Sequence, residues 1–474
     1  MGFTSILFLF LFLPLSLGIY YIVNENVKEY VLLFISLLFY ALGSLRYLLL
    51  FFIEIFLTVL IGRLLSNSQK PKWKRFLLLL GSGINVCLLG YCKFFDLAAS
   101  ASNHVLGTNI EAGNILLPLG ISFFTFKSVS YLVDIYTGKA VLCANPVHDA
   151  LYLSFFAHIQ SGPLTRYNDM QPVGNGNGSE GRMNLFSDGV FRFLIGFNKK
   201  VLIANVLVKI TNEIFSTPFE DFSSAYAWLG SICYSLQLFF DFSGYSDMAI
   251  GTSEMFGYHC MENFNYPYAT ESVTKFWRRW HISLSQWFRD YVYIPLGGSR
   301  SKRKNRVYIN LFVVWLLTGV WHGISWNFIA WGLGYYALIA FERATGIPDS
   351  FKTRIGKIIY RVFTLLFINL QWVIFRTDDL ITGLRYIKRM FICKSNLLAD
   401  LRTVFLIKDY FSFILLAVFL SFPIIPWLNK KLEDREGTRF ICEMVLAILT
   451  FGLFIWAISF VISGSNNPFV YANF

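Results

Sequence analysis

The sequence predicts an all-α polytopic membrane protein, and three observations carry that prediction. Of 474 residues, 55% are hydrophobic and only 15% charged, whereas a soluble domain carries about 25% charged residues. Aromatic residues reach 18%, with 50 Phe, 25 Tyr and 12 Trp, as suits rings placed at headgroup level and in helix contacts within lipid. Apolar runs recur along nearly the whole length, and about 20 residues cross a hydrocarbon core, so the chain has room for roughly 11–13 transmembrane and re-entrant helices. No large soluble domain fits beside them, and residues 1–474 read as a single integral-membrane domain.

The first run, 3–21, has neither a basic start nor a small-residue cleavage site, so it reads as a permanent span and not a removable signal. Further apolar runs cover about 28–43, 47–64, 76–98, 115–136, 147–164, 185–215, 225–250, 307–321, 324–341, 357–376, 409–428 and 440–463. Those at 147–164 and 185–215 are interrupted, the second by Lys199 and Lys200, and read as re-entrant or partly interfacial. A loop at 65–75 holds Lys70, Lys72, Lys74 and Arg75 with no acid, which places it in the cytoplasm. The loop 99–114 has no Lys or Arg, and 216–224 carries only Glu220 and Asp221, so both face outside. Counting back from the basic loop puts the amino terminus outside.

The most basic stretch holds Lys275, Arg278, Arg279, Arg289, Arg300, Lys302, Arg303, Lys304 and Arg306 against the acid Asp290, and it belongs on the cytoplasmic surface. Within it Val273, Phe276, Trp277, Trp280, Leu284, Trp287, Phe288 and Tyr291 recur at helical spacing. One amphipathic helix in or dipping into the membrane is expected there, ended by Pro295 and the Gly297-Gly298 pair. A second, weaker interfacial stretch at 381–392 carries Arg385, Lys388 and Arg389.

Several function classes are excluded. The net charge of +12 fits cytoplasmic loops facing anionic lipid, and nucleic acid is not an expected partner. Seven scattered cysteines, 87, 92, 143, 233, 260, 393 and 442, never form C-x-x-C and read as small core residues. Gly176 to Gly181 spells G-x-G-x-x-G in a polar connector with no preceding strand, so it is not a dinucleotide site. G-x-S-x-G, H-E-x-x-H and Walker sequences are absent.

Six histidines remain as candidates for chemistry. His104, His148 and His259 fall in or beside loops and read as solvated or structural. His322 sits between two apolar runs, in Thr318-Gly-Val-Trp-His-Gly-Ile-Ser-Trp-Asn327. A polar imidazole in that setting is costly unless it lines a cavity or has a partner, and neutral imidazole suits proton transfer near neutrality. A hydrogen bond within a helix contact is the structural alternative. His281 shares the apolar face of Trp277, Leu284 and Phe288, either as a second intramembrane imidazole or as a headgroup-level side chain.

Asp241-Phe-Ser-Gly-Tyr-Ser-Asp-Met248, Phe276-Trp-Arg-Arg-Trp-His-Ile-Ser-Leu-Ser285, Trp287-Phe-Arg-Asp-Tyr291, Tyr293-Ile-Pro-Leu-Gly-Gly298 and Trp321-His-Gly323 stand in that order. Together they resemble the membrane-bound O-acyltransferase superfamily, in its bacterial alginate O-acetyltransferase-like branch. Leu117 to Phe123, Tyr131 to Asp134 and Ser161 to Pro163 look like the same branch, and the motif core spans about 240–332. The resemblance implies a ring of helices around a central funnel, in a multi-pass protein of the bacterial cytoplasmic (inner) membrane. It implies His322 as the histidine of the reaction centre and His281 as its second motif position.

The chemistry so implied is general base catalysis, with His322 taking the proton of an acceptor hydroxyl as it attacks an acyl thioester. An oxyanion would develop, for which His281, Asn327 or Trp326 offers a donor. Trp321 and Trp277 are candidate lining residues. If the donor is acetyl-coenzyme A, its phosphates fall to Lys275, Arg278, Arg279 and the 300–306 cluster, for which lipid anchoring is the alternative. His158 lines the funnel or packs helices. Asp241, Ser243, Tyr245 and Asp247 touch the donor or cap the neighbouring Arg-bearing helix, and Arg166 pairs with phosphate or lipid. No bound cofactor and no metal are expected; acetyl-coenzyme A or a carrier thioester is the donor substrate.

The implied function is acetyl transfer from a cytoplasmic thioester for O-acetylation of an extracytoplasmic polysaccharide. D-alanyl transfer from a carrier protein to teichoic acid and peptidoglycan O-acetylation are alternatives, as is a proton-coupled transporter outside enzymology, for which no internal repeat speaks. Expected partners are membrane lipid, the thioester donor and an extracytoplasmic acetyltransferase or polysaccharide-modifying protein. The ending Pro468-Phe-Val-Tyr-Ala-Asn-Phe474 is a loose version of the branch's aromatic terminus.

Overall fold

The computed structural model describes residues 1–474 apart from 112, 114, 171–177, 219–222, 301–304, 352, 393–398, 432–435 and 465–474. Among the described residues every regular element is helical. Five helical stretches are long and apolar enough to cross a membrane: Glu25–Asn67, Pro71–Leu106, Arg354–Arg376, Leu401–Leu420 and Gly437–Ile462. They display bulky apolar side chains outward, among them Phe56 (59% exposed), Phe411 (57%) and Ile448 (65%). Water would penalise that surface and lipid does not. The protein is therefore an all-α polytopic membrane protein.

The chain divides into two compact units. The first takes residues 1–193 and 246–261. Its core is aromatic, with Phe8, Phe12, Phe39 and Phe156 in mutual ring contact. Gly62 lets Leu48–Asn67 lie flat on the Tyr131 ring of Ile121–Tyr136. At Gly120 φ is +67°, and a Cβ would run into the Ile159 carbonyl oxygen. A left-handed turn with backbone that close accepts only glycine.

The second unit holds residues 194–245 and most of the chain from Glu262 onward. Ser224–Met255 runs from this unit into the first, and nearly all its described side chains are buried. Ser231, Ser235, Gln237, Asp241 and Ser243 line its interior, so it is buried by protein despite a modest hydropathy. The interrupted run at 185–215 is one helical path whose middle, Lys199–Ala204, is a π-helical turn. Amphipathic Leu380–Phe391 buries Tyr386, Arg389 and Met390, as its pattern requires.

Several expected boundaries move. Lys72, Lys74 and Arg75 lie in the first turns of Pro71–Leu106, not in a loop, because Pro71 is well suited to the first helical position. The same helix absorbs residues 99–106 of the supposed outer loop and stops at Gly107, φ +66°. The run read as 409–428 starts at Leu401, where Asp400 caps the helix through the Thr403 N–H at 2.7 Å, and breaks at Pro423. Gly178 to Gly181 begin a helix instead of a connector. Gly176, Asn177, Glu220, Asp221, Cys393 and the carboxyl-terminal aromatic ending lie outside the described residues.

Candidate active site

His322 is the last residue of Arg306–His322, which returns through three residues into Trp326–Thr345. The two helices cross closely because glycines face each other's backbone. A Cβ on Gly319 would come 2.7 Å from the Phe328 carbonyl oxygen, and one on Gly332 would come 2.5 Å from that of Trp315. His322 is only 5% exposed. Its ring centroid lies 4.5 Å from Trp321, and 5.0 Å from both Trp331 and Phe375, edge-to-face with these two. An imidazole so enclosed is held by rings on three sides.

Asn327 occupies the first turn after the hairpin. Its Nδ2 donates to the Thr377 carbonyl at 2.7 Å, closing the C-terminal end of Arg354–Arg376. The amide hydrogens of Asn327 thus serve a helix end. Trp326 is 72% exposed, outside the enclosure of His322.

The segment expected as one amphipathic helix is broken. Val273–Trp277 and Ile282–Phe288 are separate helices, and His281 stands between them at φ +44°. That conformation is strained for a residue with a Cβ, at a cost of roughly 1–3 kcal/mol. Segment 263–265 clamps it from both sides: Asn265 N–H donates to the Arg279 carbonyl at 2.9 Å, and Ile282 N–H to the Asn263 carbonyl at 3.0 Å. No Gly or Pro marks the break, because a segment 18 residues upstream makes it. His281 is 2% exposed, its Nδ1 lies 3.1 Å from Asn263 Oδ1, and its ring meets Phe242 edge-on at 4.6 Å.

One aromatic network joins the two histidines. From His281 it runs through Phe242, Phe264, Trp280, Trp372 and Phe375 to His322, each centroid step between 4.6 and 5.7 Å. Trp277 joins it through Trp315 at 4.8 Å and Trp331 at 5.8 Å. Within the second unit, then, the structure brings His322, His281, Trp321 and Trp277 into one apolar body.

The basic residues are anchored by a carboxylate that no sequence motif singles out. Buried Glu342 accepts from the Val273 and Thr274 N–H groups, each at 2.8 Å, and from the Tyr360 hydroxyl at 2.9 Å. A carboxylate there suits both the orphan N–H groups and the positive end of the helix. Lys275 pairs with Glu271 at 2.6 Å, and that hydrogen bond holds the Glu271 carboxyl below the usual carboxylate range. Arg279 donates to the Ala269 carbonyl at 3.3 Å, whereas Arg278 is exposed. A cavity of about 130 Å³ beside Lys275 is lined by Lys357 but also by Glu271 and Asp349, a balance poorly suited to several phosphates. Lys302, Arg303 and Lys304 lie outside the described residues.

Asp241 and Asp247 each hold a cation of another helical path. Asp241 pairs with buried Lys200 at 2.5 Å, and Asp247 with Arg192 at 2.7 Å, both cations belonging to the helical path 178–216. Gly244 explains the preference: a Cβ there would lie 2.7 Å from the Gly196 carbonyl oxygen, so the helices touch at this level. Ser243 and Tyr245 are buried on the same helix.

His158 belongs to the first unit, in a polar cluster of its own. Its Nε2 lies 2.9 Å from Ser253 Oγ and 3.0 Å from Cys260 Sγ, and its Nδ1 3.3 Å from Thr165 Oγ1. His148 is buried with its Nδ1 2.7 Å from Glu29 Oε1, a structural and not a solvated histidine. His104 and His259 are exposed.

Comparison with known proteins covers the same residues. The family model described as membrane-bound O-acyltransferase family matches residues 145–374. A probable alginate O-acetylase AlgI of Pseudomonas aeruginosa is 40% identical over 396 residues, which cover 82% of this chain and 75% of that one. The peptidoglycan O-acetyltransferase of Helicobacter pylori is 35% identical over 419 residues, covering 82% and 79%. A teichoic acid D-alanyltransferase of Bacillus subtilis is 36% identical over 243 residues, covering 48% and 58%. Similarity of this extent, through both the glycine-crossed hairpin and the clamped break, decides the family: the chain belongs to the membrane-bound O-acyltransferases.

Proposed function

We propose that this protein transfers an acetyl group from a cytoplasmic thioester, acetyl-coenzyme A or an acylated carrier, toward O-acetylation of an extracytoplasmic polysaccharide of the alginate type. The observation that carries this reading is the burial of His322 in an aromatic enclosure within a chain whose 40%-identical relative is named for alginate O-acetylation. A thioester is a ready electrophile and a hydroxyl a poor nucleophile. The reaction therefore needs a base that removes the hydroxyl proton as the C–O bond forms and the thiol departs. His322 takes that role and His281 serves as the second imidazole. Trp321 and Trp277 shape the acyl site, and the surrounding rings keep water from hydrolysing the thioester. Lys275, Arg278 and Arg279 attract the anionic donor at the cytoplasmic surface. The two compact units act as one integral-membrane domain in the bacterial inner membrane, with the amino terminus outside and an extracytoplasmic acetyltransferase as partner.

The test is transfer of labelled acetyl from acetyl-coenzyme A to alginate oligosaccharide by the purified chain in nanodiscs. We expect His322→Ala to lower the rate by about 10²–10⁴-fold. Equal rates in parent and variant would end the assignment. Transfer to peptidoglycan fragments, or of D-alanine from a carrier protein, would keep the chemistry and change the substrates.

A further inference from the structure

Resting on the acyl-transfer reading above, we propose that Asn263 is a positioning residue that locks His281 as its Nδ1–H tautomer. His281 Nε2 is thereby a preset hydrogen-bond acceptor for the substrate, not a donor to the oxyanion.

Which atom of the Asn263 amide is oxygen decides the tautomer. The atom facing His281 also receives the backbone N–H of Ser283 at 3.2 Å. A backbone N–H only donates, so this atom is the carbonyl oxygen and the amide cannot be turned around. The Ser283 hydroxyl, at 2.9 Å, adds a second donor on the same oxygen. His281 Nδ1 lies 3.1 Å from that oxygen, and two acceptors do not attract, so Nδ1 carries the hydrogen. In neutral imidazole the other nitrogen then holds a lone pair.

That second nitrogen, Nε2, is buried and has no hydrogen-bond partner among the described residues. The surroundings give it no reason to be there: the ring is 2% exposed and packs edge-on against Phe242. A helix could not present it this way. Its backbone is held at φ +44° by the two hydrogen bonds from segment 263–265, so Asn263 fixes the residue through its main chain and its ring through its side chain. A strained backbone, an orienting amide and an unpartnered buried nitrogen are what a substrate-orienting acceptor requires: geometry held by a third group, and a lone pair kept for a hydrogen bond from outside the protein. In the reaction His322 takes the proton of the acceptor hydroxyl, and His281 Nε2 accepts a hydrogen bond from a neighbouring hydroxyl of the acceptor, or from a water bound to it, which holds the nucleophile in place. Protonation of His281 removes that acceptor, while its Nδ1–H bond to Asn263 remains.

Two readouts test this on the full chain in nanodiscs. In the ¹⁵N-histidine spectrum of the resting protein, identified by loss of one signal pair in His281→Gln, we expect Nδ1 protonated and Nε2 bare, with the preference lost in Asn263→Ala. A protonated Nε2 in the parent, or an unchanged tautomer in Asn263→Ala, overturns the proposal. If Asn263→Ala does not fold, Asn263→Asp carries the test. Its carboxylate keeps the acceptor and stabilises the imidazolium, so the acidic limb of the acetyl-transfer pH profile moves upward by about 1 pH unit or more. A merely structural asparagine would change the amplitude and leave the limb in place, and that result also overturns the proposal. The spectrum needs no turnover. A parent with the expected tautomer but no acetyl transfer therefore sinks the acyl-transfer reading, while a wrong tautomer in an active parent sinks only the role of Asn263.

Discussion

Single side chains in this protein do structural work at helix ends of the candidate site. Asn327 Nδ2 holds the Thr377 carbonyl at 2.7 Å, so Asn327→Ala leaves a buried acceptor unpaired. The loss expected is about 1–3 kcal/mol of stability, read as a lower unfolding temperature in detergent, with residual acetyl transfer at permissive temperature. Complete loss of transfer in a variant of normal stability would instead place Asn327 in the catalytic step. Glu342 makes a sharper case, because four donors, the Val273 and Thr274 N–H groups and the Thr274 and Tyr360 hydroxyls, converge on its carboxylate. Glu342→Gln keeps the shape but supplies one acceptor oxygen in place of two. It is expected to cost about 1–3 kcal/mol and to weaken use of the donor, because the helix bearing Lys275 loses its anchor. A KM for acetyl-coenzyme A unchanged from the parent would show that this helix does not meet the donor. At this scale the burial of His322 is legible in the sequence, because two glycines flank a polar residue between apolar runs. Glu342 and Asn263 were not: their partners lie 69 and 20 residues away, and only the folded chain brings them together.

At the level of elements, hydropathy revealed which segments are helical and concealed how they are joined. The break at His281 interrupts a run whose aromatic residues keep helical spacing on both sides, so periodicity alone reads it as continuous. The π-helical turn Lys199–Ala204 likewise accommodates a buried cation that the sequence shows only as an interruption. There Lys200 meets Asp241 with 2% and 0% of the side chains exposed. Removing one partner strands the other charge in the interior. Asp241→Asn is thus expected to destabilise by about 3–5 kcal/mol, whereas Lys200→Met with Asp241→Leu recovers most of that loss. Unfolding measurements on the two variants decide it: a double variant no more stable than Asp241→Asn would mean that the pair holds the helices in a way apolar packing cannot replace.

For the molecule as a whole, lipid is the solvent, and the long helices settle where its boundaries fall. Pro71–Leu106 has 36 residues and so runs about 54 Å, well beyond a hydrocarbon core of about 30 Å. Its two ends must emerge on opposite sides if it crosses at all. By the positive-inside rule we propose that the basic start, with Lys72, Lys74 and Arg75, lies in the cytoplasm and the Gly107 end, without Lys or Arg nearby, outside. The same charge rule would put the Lys275–Arg279 region on the side of a cytoplasmic donor. Single cysteines at Ser68 and Thr108, in a chain whose seven native cysteines are replaced, test it with a membrane-impermeant maleimide. Thr108→Cys is expected to react in intact spheroplasts and Ser68→Cys only in inverted vesicles. The reverse pattern would turn the protein over and place the basic surface away from cytoplasmic thioesters. Reaction of both from one side would mean that the helix does not cross, and the assignment of its flanking segments would fall with it.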